Sequence, residues 1–414
     1  MQQRETMSKN KKFIRSKAEG LIPELRFPEF VNEGKWQEKI LEDVLEYERP
    51  DNYIVSDTNY HSEGIPVLTA NKSFILGYTN EDFDIYKNLP AIIFDDFTVD
   101  SKFVDFPFKV KSSAIKILRP KNKDDLRFIY ELISQIKFNA KEHKRYYISE
   151  YQKLKLSFPS ITEQQKIASC LSSLDEVIIA HSQKLELLKD HKKGLMQNLF
   201  PQGGEKAPKY RFKEFEKDGQ WEETVLENIS SKIMVGIASA ATHAYRKSGI
   251  ILFRNQNIKE GYLDDKDIIF IDRDYEKEHK NKRLKAGDLL TARTGYPGTT
   301  CVVPEKHEGS QSFTTLITRP KSEIINSTFL CYYINSETGQ VFFNSTKIGG
   351  GQKNVNAGSL AKMPIVYPSI KEQQKIASCL SALDELITAQ AEKIEQLKLH
   401  KKGLMQGLFP KMND

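Results

Sequence analysis

Apolar residues in two stretches of the chain return with the period of a packed helix seam. From Leu174 the inward positions are Leu174, Ile178, His181, Leu185, Leu188, Lys192, Leu195 and Leu199, spaced alternately four and three residues apart. Leu383, Ile387, Gln390, Ile394, Leu397, Lys401, Leu404 and Leu408 repeat that spacing. A period of 3.5 sustained this long predicts two long helices that bury a shared stripe. Asp175 and Asp384 stand where the acidic start of a helix belongs, with Lys192-Lys193 and Lys401-Lys402 near its end, matching the helix dipole. A shorter amphipathic helix is expected ahead of each, over 163–172 and 372–381. The polar seam positions set the orientation. A parallel pair would place Lys192 against Lys401 in one buried layer, whereas an antiparallel pair sets His181 against Lys401 and Gln390 against Lys192. Like charges in an interior are costly, so the prediction is antiparallel.

The helices belong to a larger repeat. Residues 161–200 and 370–409 align without a gap and are identical at 29 of 40 positions, a self-similarity that decides the architecture. Ahead of them, residues 23–44 return at 208–229, sharing Arg26/Arg211, Phe27/Phe212, Phe30/Phe215, Gly34/Gly219 and Trp36/Trp221. The second half carries about 24 more residues, between its Trp segment and its helix. Between these matching ends the chain reads as short strand-like runs broken by turn signals, such as AIIFDD, KSSAIKILRP, GDLLTARTGYPG and TTLITRP. Gly64/Gly249, Gly77-Tyr78/Gly261-Tyr262 and Arg119-Pro120/Arg319-Pro320 fall in the same order in both halves, with helices expected at 125–139 and 327–343. The fold class is therefore α+β, two globular domains separated by a pair of long antiparallel coiled-coil helices in a pseudo-two-fold repeat. The expected boundaries are a disordered basic arm at 1–20, a first domain at 21–160, a first helical region at 161–200 and a linker at 201–208. A second domain then runs over 209–369 and a second helical region over 370–414.

Length allows two or three domains with real cores. Lys+Arg 62 against Asp+Glu 56 gives +6 and a pI near 8.8, which permits a nucleic-acid partner without demanding one. Four cysteines without a CxxC or Cys/His cluster argue against zinc and for a reducing cytoplasm. No apolar run is long enough to span a membrane, and the basic N-terminus lacks the apolar core of a signal peptide.

Catalytic signatures are missing. There is no P-loop, no Asn-Pro-Pro-aromatic motif and no strand-associated GxGxxG, and the Gly349-Gly350-Gly351 run follows no clear strand. Asp95-Asp96 reads as a polar strand end rather than a metal pair. The domains instead offer contact chemistry. Arg293 and Thr294 sit in a Gly-bounded turn after a strand, where a guanidinium can be aimed at a guanine edge. In KIGGGQKNVN, Lys347 and Lys353 supply phosphate-type cations beside the amides of Gln352 and Asn354, the residue type that reads adenine. The first domain places Lys144, Arg145, Tyr146 and Tyr147 at the matching position, and Arg254 and Lys102 complete the candidate DNA contacts.

The duplicated order P-E-L-R-F-P-E-F…W, variable domain, P-S-I-x-E-Q-Q-K-I-A…L-D-E and K-K-G-L-M-Q-x-L-F-P resembles the DNA-specificity subunit of type I restriction–modification systems over residues 20–412. The resemblance implies two target-recognition domains, each reading half of an asymmetric, interrupted site in double-stranded DNA. It implies two methylation subunits and added restriction subunits as partners. It also implies no activity and no cofactor in this subunit, with S-adenosylmethionine, ATP and magnesium held by the partners for adenine-N6 methylation and translocation. Two other readings fit a duplicated binding protein: a stand-alone pseudo-dimeric DNA-binding regulator, and a coiled-coil scaffold that binds no DNA.

Overall fold

The computed structural model describes residues 14–15, 21–70, 73–138, 140, 144–239, 241–345 and 355–411. The chain divides into two units, 1–182 with 392–414, and 183–391. Both are built to one plan.

In the first unit the strands Leu45–Glu48, Ile115–Pro120, Ala91–Asp95 and Ser101–Val104 form an antiparallel sheet in that order. A second sheet pairs Ile65–Leu68 antiparallel with Ile75–Thr79 and parallel with Lys109–Val110. Gln37–Ile40 pairs with Lys155–Phe158, so the Trp segment and the strand leading into the first long helix close the domain together. In the second unit the strands Ser230–Val235, Leu316–Pro320, Leu289–Thr291 and Thr300–Val302 repeat the first sheet. Ile250–Arg254 pairs antiparallel with Ile269–Ile271 and parallel with Gln311–Phe313, and Glu222–Val225 pairs with Pro364–Tyr367. The extra length of this unit includes the strand Tyr245–Arg246 and the helices Arg273–Glu278 and Glu337–Ser345.

Gly64 and Gly249 recur for a steric reason. Both hold positive φ (121° and 152°), and a Cβ would lie 2.5 Å from the Thr79 carbonyl oxygen and 2.3 Å from that of Ile271. Gly77 and Gly261 do not correspond: the first lies in the strand Ile75–Thr79, the second in a turn closed between Lys259 and Tyr262. Of the two expected medium helices, the first is shorter, Leu126–Ile133, and the second breaks at Ser336 into Ser327–Asn335 and Glu337–Ser345. Ser336 turns extended (ψ 164°), and its hydroxyl donates to the Tyr333 carbonyl at 2.7 Å.

Each long helix is one piece, Ile161–Asn198 and Ile370–Leu408, with no separate short helix ahead of it, because no Gly or Pro interrupts either before its last turns. Every predicted seam position is buried or half-buried, while flanking Glu176, Ile179, Glu186 and Leu187 are exposed. The pairing is antiparallel. Ile167 and Leu171 from the start of the first helix share a core with Leu404 and Leu408 from the end of the second, and Ile376 and Leu380 share one with Met196 and Leu199. Each seam lysine is neutralised by an acid, and Lys401 meets the first helix at Asp175, six residues before the predicted partner His181. Lys401 Nζ lies 2.7 Å from Asp175, and Lys192 Nζ lies 2.8 Å from Asp384. Asp175 and Asp384 are thus mid-helix ion-pair partners, not helix starts.

Candidate nucleic-acid interface

Each domain is locked to the helix pair by the same clamp, and the clamp uses the residues that repeat. Arg26 donates Nε and Nη2 to Glu163 at 2.8 and 2.7 Å and Nη1 to the carbonyls of Glu33 and Gly34. Arg211 does the same to Glu372 at 2.9 and 2.6 Å and to the carbonyls of Asp218 and Gly219. One residue on, Gln164 Oε1 accepts the Asp125 N–H at 2.9 Å and Gln373 Oε1 that of Asn326 at 2.8 Å, fixing the N-cap residue of the medium helix. Asp125 and Asn326 in turn cap Phe128 N and Phe329 N. Phe128 packs edge-on to Trp36 and stacks on Phe409, and Phe329 does so with Trp221 and tilts against Phe200. The end of each long helix therefore completes the core of the domain built from the other repeat.

On these matched frames sit unlike faces. The strand register, Ile117 opposite Ile93 and Ile317 opposite Leu290, makes the turn after Asp95 equivalent to that after Ala292. In the second domain Arg293 N–H donates to Asn255 Oδ1 at 2.7 Å and its Nε to the Val355 carbonyl at 3.1 Å. The half-buried guanidinium thus holds the returning segment. Thr294 is half-buried, and its carbonyl accepts the Tyr296 N–H. Arg254 precedes Asn255, so the fold brings it to this turn, with its Nη2 on the Asp267 carbonyl at 2.7 Å. Lys347, Gln352, Lys353 and Asn354 lie outside the described residues. Tyr296, which sequence reasoning missed, is 85% exposed at the tip of the turn. The Gly295 and Gly298 signals bracketing it were legible: both hold positive φ, and a Cβ on Gly298 would strike Phe343 at 2.7 Å.

In the first domain the equivalent turn holds Asp96. Its carbonyl accepts Tyr146 N–H at 2.8 Å, its Oδ1 accepts Tyr147 N–H at 2.9 Å, and its Oδ2 lies 3.3 Å from Lys116 Nζ. A carboxylate thus anchors the segment that a guanidinium anchors in the second domain. This corrects the sequence reading at two positions. Tyr146 and Tyr147 are 2% and 1% exposed, with their rings in the core against Phe138 and Phe94, and offer no face to a duplex. Burial pushes the Tyr147 hydroxyl well above its ordinary range. Lys144 is exposed but pairs with Glu150 at 2.8 Å, and Arg145 is exposed over the Phe97 ring. Lys102 is half-buried in the strand Ser101–Val104 opposite Ile93. Asp95 caps its own turn through Phe97 N and Thr98 N, and no group of His, Cys, Asp and Glu among the described residues is placed to hold a metal. No helix among them is long and apolar enough to cross a membrane.

Two heads with one frame and different faces, each clamped to an antiparallel helix pair, define a duplicated recognition subunit. The chain belongs to the type I restriction modification DNA specificity domain family, whose model matches it twice, over residues 33–190 and 220–399. It is a specificity subunit with two target-recognition domains. The EcoR124I/EcoR124II specificity subunit of Escherichia coli is 28% identical over 369 residues, covering 85% of this chain and 87% of that protein. The MjaVIII specificity subunit of Methanocaldococcus jannaschii is 26% identical over 375 residues, covering 86% and 85%. Among solved structures, the type I system S subunit from M. genitalium shares the fold with a TM-score of 0.62 at 14% identity, covering 92% of this chain and 98% of that one.

Proposed function

We propose that this chain is the non-catalytic DNA-recognition subunit of a type I restriction–modification complex. Each domain reads one half of an asymmetric, interrupted site, and the helix pair fixes the gap between the halves. The observation that carries this reading is the clamp of Arg26, Glu163 and Gln164, repeated as Arg211, Glu372 and Gln373 beneath two turns that differ in sign, Asp96 and Arg293. A repeated frame with divergent faces is what reading two different sequences requires, since base edges are distinguished by the donors and acceptors set against them. Base methylation, adenine-N6 on this reading, belongs to two methylation subunits carrying S-adenosylmethionine. Restriction subunits add ATP- and magnesium-dependent translocation, and the complex works in the cytoplasm. The duplicated helices supply two equivalent docking surfaces for the methylation subunits. Sequencing methylated adenines in the host genome with and without this gene tests the proposal. One bipartite motif should vanish with the gene; an unchanged methylation pattern would refute it.

A further inference from the structure

A cleft of about 400 Å³ opens in the first domain beside the Asp96 turn, lined by Arg49, Asp51, Lys116 and Arg145 among others. Its floor is a buried ion pair: Lys116 and Asp96 are 4% and 2% exposed, their charges 3.3 Å apart, with the ammonium over the Tyr47 ring. The Asp96 carboxylate is also held by Tyr147 N–H, so the floor is rigid and near neutral. Charge at the mouth comes from Arg49 and Arg145, both exposed and neither ion-paired to a carboxylate among the described residues, against the single exposed carboxylate of Asp51 at the rim, which leaves the mouth net positive. The neighbouring cation Lys144 is already neutralised by Glu150. The Asp96 carboxylate is consumed by Lys116 and the backbone, so a ligand in the cleft meets the two exposed arginines rather than the floor. Two guanidinium groups over a closed floor suit an anion with several oxygens.

We infer that this cleft takes one backbone phosphodiester of duplex DNA, held between Arg49 and Arg145, and so sets the register of the first domain without reading sequence. The inference rests on the reading above that this domain binds DNA. It makes the two domains unlike in a specific way: the second carries its guanidinium on the turn itself as Arg293, the first beside the turn.

The test uses the full-length chain in complex with its methylation subunits, titrated over a range of salt concentrations with a duplex carrying the methylated motif and with an unrelated duplex. Arg49→Ala combined with Arg145→Ala should lower the slope of log K against log salt by about 0.9, the share of one neutralised phosphate, and weaken both duplexes by the same factor. The matching double substitution to Lys keeps the point charges and should restore the slope. An unchanged slope, a loss confined to the motif duplex, or a Lys variant that behaves like the Ala variant would overturn the inference. Both variants change exposed side chains, and co-purification with the methylation subunits verifies that each is folded. If the wild-type complex showed no preference for the motif, the recognition reading would fail, while the phosphate contact would still be read on the unrelated duplex.

Discussion

Arg26 and Arg211 illustrate what the strongest residue-level signals in this chain encode. They repeat because they tie domain to helix, not because they touch DNA. Arg26 is buried to 4% exposure against Glu163 at 1%, so Arg26→Ala leaves a buried carboxylate without its partner and should destabilise the first unit by about 3–5 kcal/mol, read as a lowered urea midpoint. Arg26→Lys recovers little of this, because an ammonium cannot make the paired contact. In the second domain the Glu276 carboxyl is held below its ordinary range, first by hydrogen bonds from Arg283 at 2.5 and 2.6 Å. A depressed carboxyl contributes stability that is present above about pH 4.3 and is lost as pH falls through the lower folded value. Glu276→Gln should therefore flatten the acid limb of the stability curve, and an unchanged limb would show that the pair contributes nothing. Two contact predictions belong to the same scale. Arg293→Ala should cost roughly 1–3 kcal/mol on sites whose second-domain half matches, with binding to unrelated DNA little changed, and Tyr296→Ala should cost a similar amount while Tyr296→Phe does not, if the exposed ring stacks. Competition binding with matched and mismatched duplexes measures both. The candidates at this scale were the least legible in sequence. Tyr146 and Tyr147 follow two basic residues and look like a contact patch, yet their backbone N–H groups bind Asp96 and draw both rings into the core.

At the scale of elements the sequence was far more legible, because periodicity reports burial directly. All sixteen seam positions are buried or half-buried, and the antiparallel order follows from keeping Lys192 and Lys401 apart. The partner of each lysine was not legible. Asp175 and Asp384 lie a turn or more from the polar seam residues, and only packing shows that the lysines reach them. The first unit adds Arg127 and Glu131 to its pair, whereas the second adds the Tyr332 hydroxyl, 2.6 Å from Asp384. The seam from Leu174 to Leu199 advances 25 residues, roughly 38 Å at about 1.5 Å each, enough to reach between half-sites one turn of duplex apart. Four residues inserted after Leu188 in the first helix, together with four after Ile387 in the second, lengthen both by about 6 Å and just over one helical turn, which keeps the seam nearly in phase. The variant should keep both half-site sequences and methylate a motif whose gap is longer by about two base pairs, at 3.4 Å per step. An unchanged gap with the complex intact would show that something other than helix length fixes the distance.

For the whole molecule, the repeat announced the architecture, but a repeat alone does not say which helix end completes which core. Phe409 closes over Trp36 and Phe200 beside Tyr333 and Phe329, so each domain depends on the far repeat for its last aromatic layer. The same duplication predicts two equivalent docking surfaces, hence a saturated complex of two methylation subunits per chain by native mass measurement. One-to-one binding at saturation would sink the symmetric assembly. The central claim is that the two domains read independently on a shared frame. Its most direct test replaces residues 209–369 with the corresponding domain of a family member of different specificity, leaving the first domain, both long helices and the clamp residues of the second helix in place. The methylated motif is then sequenced in the host genome. One half of the motif should change while the other half and the gap stay as they were. A change in both halves, or in neither, would contradict the account.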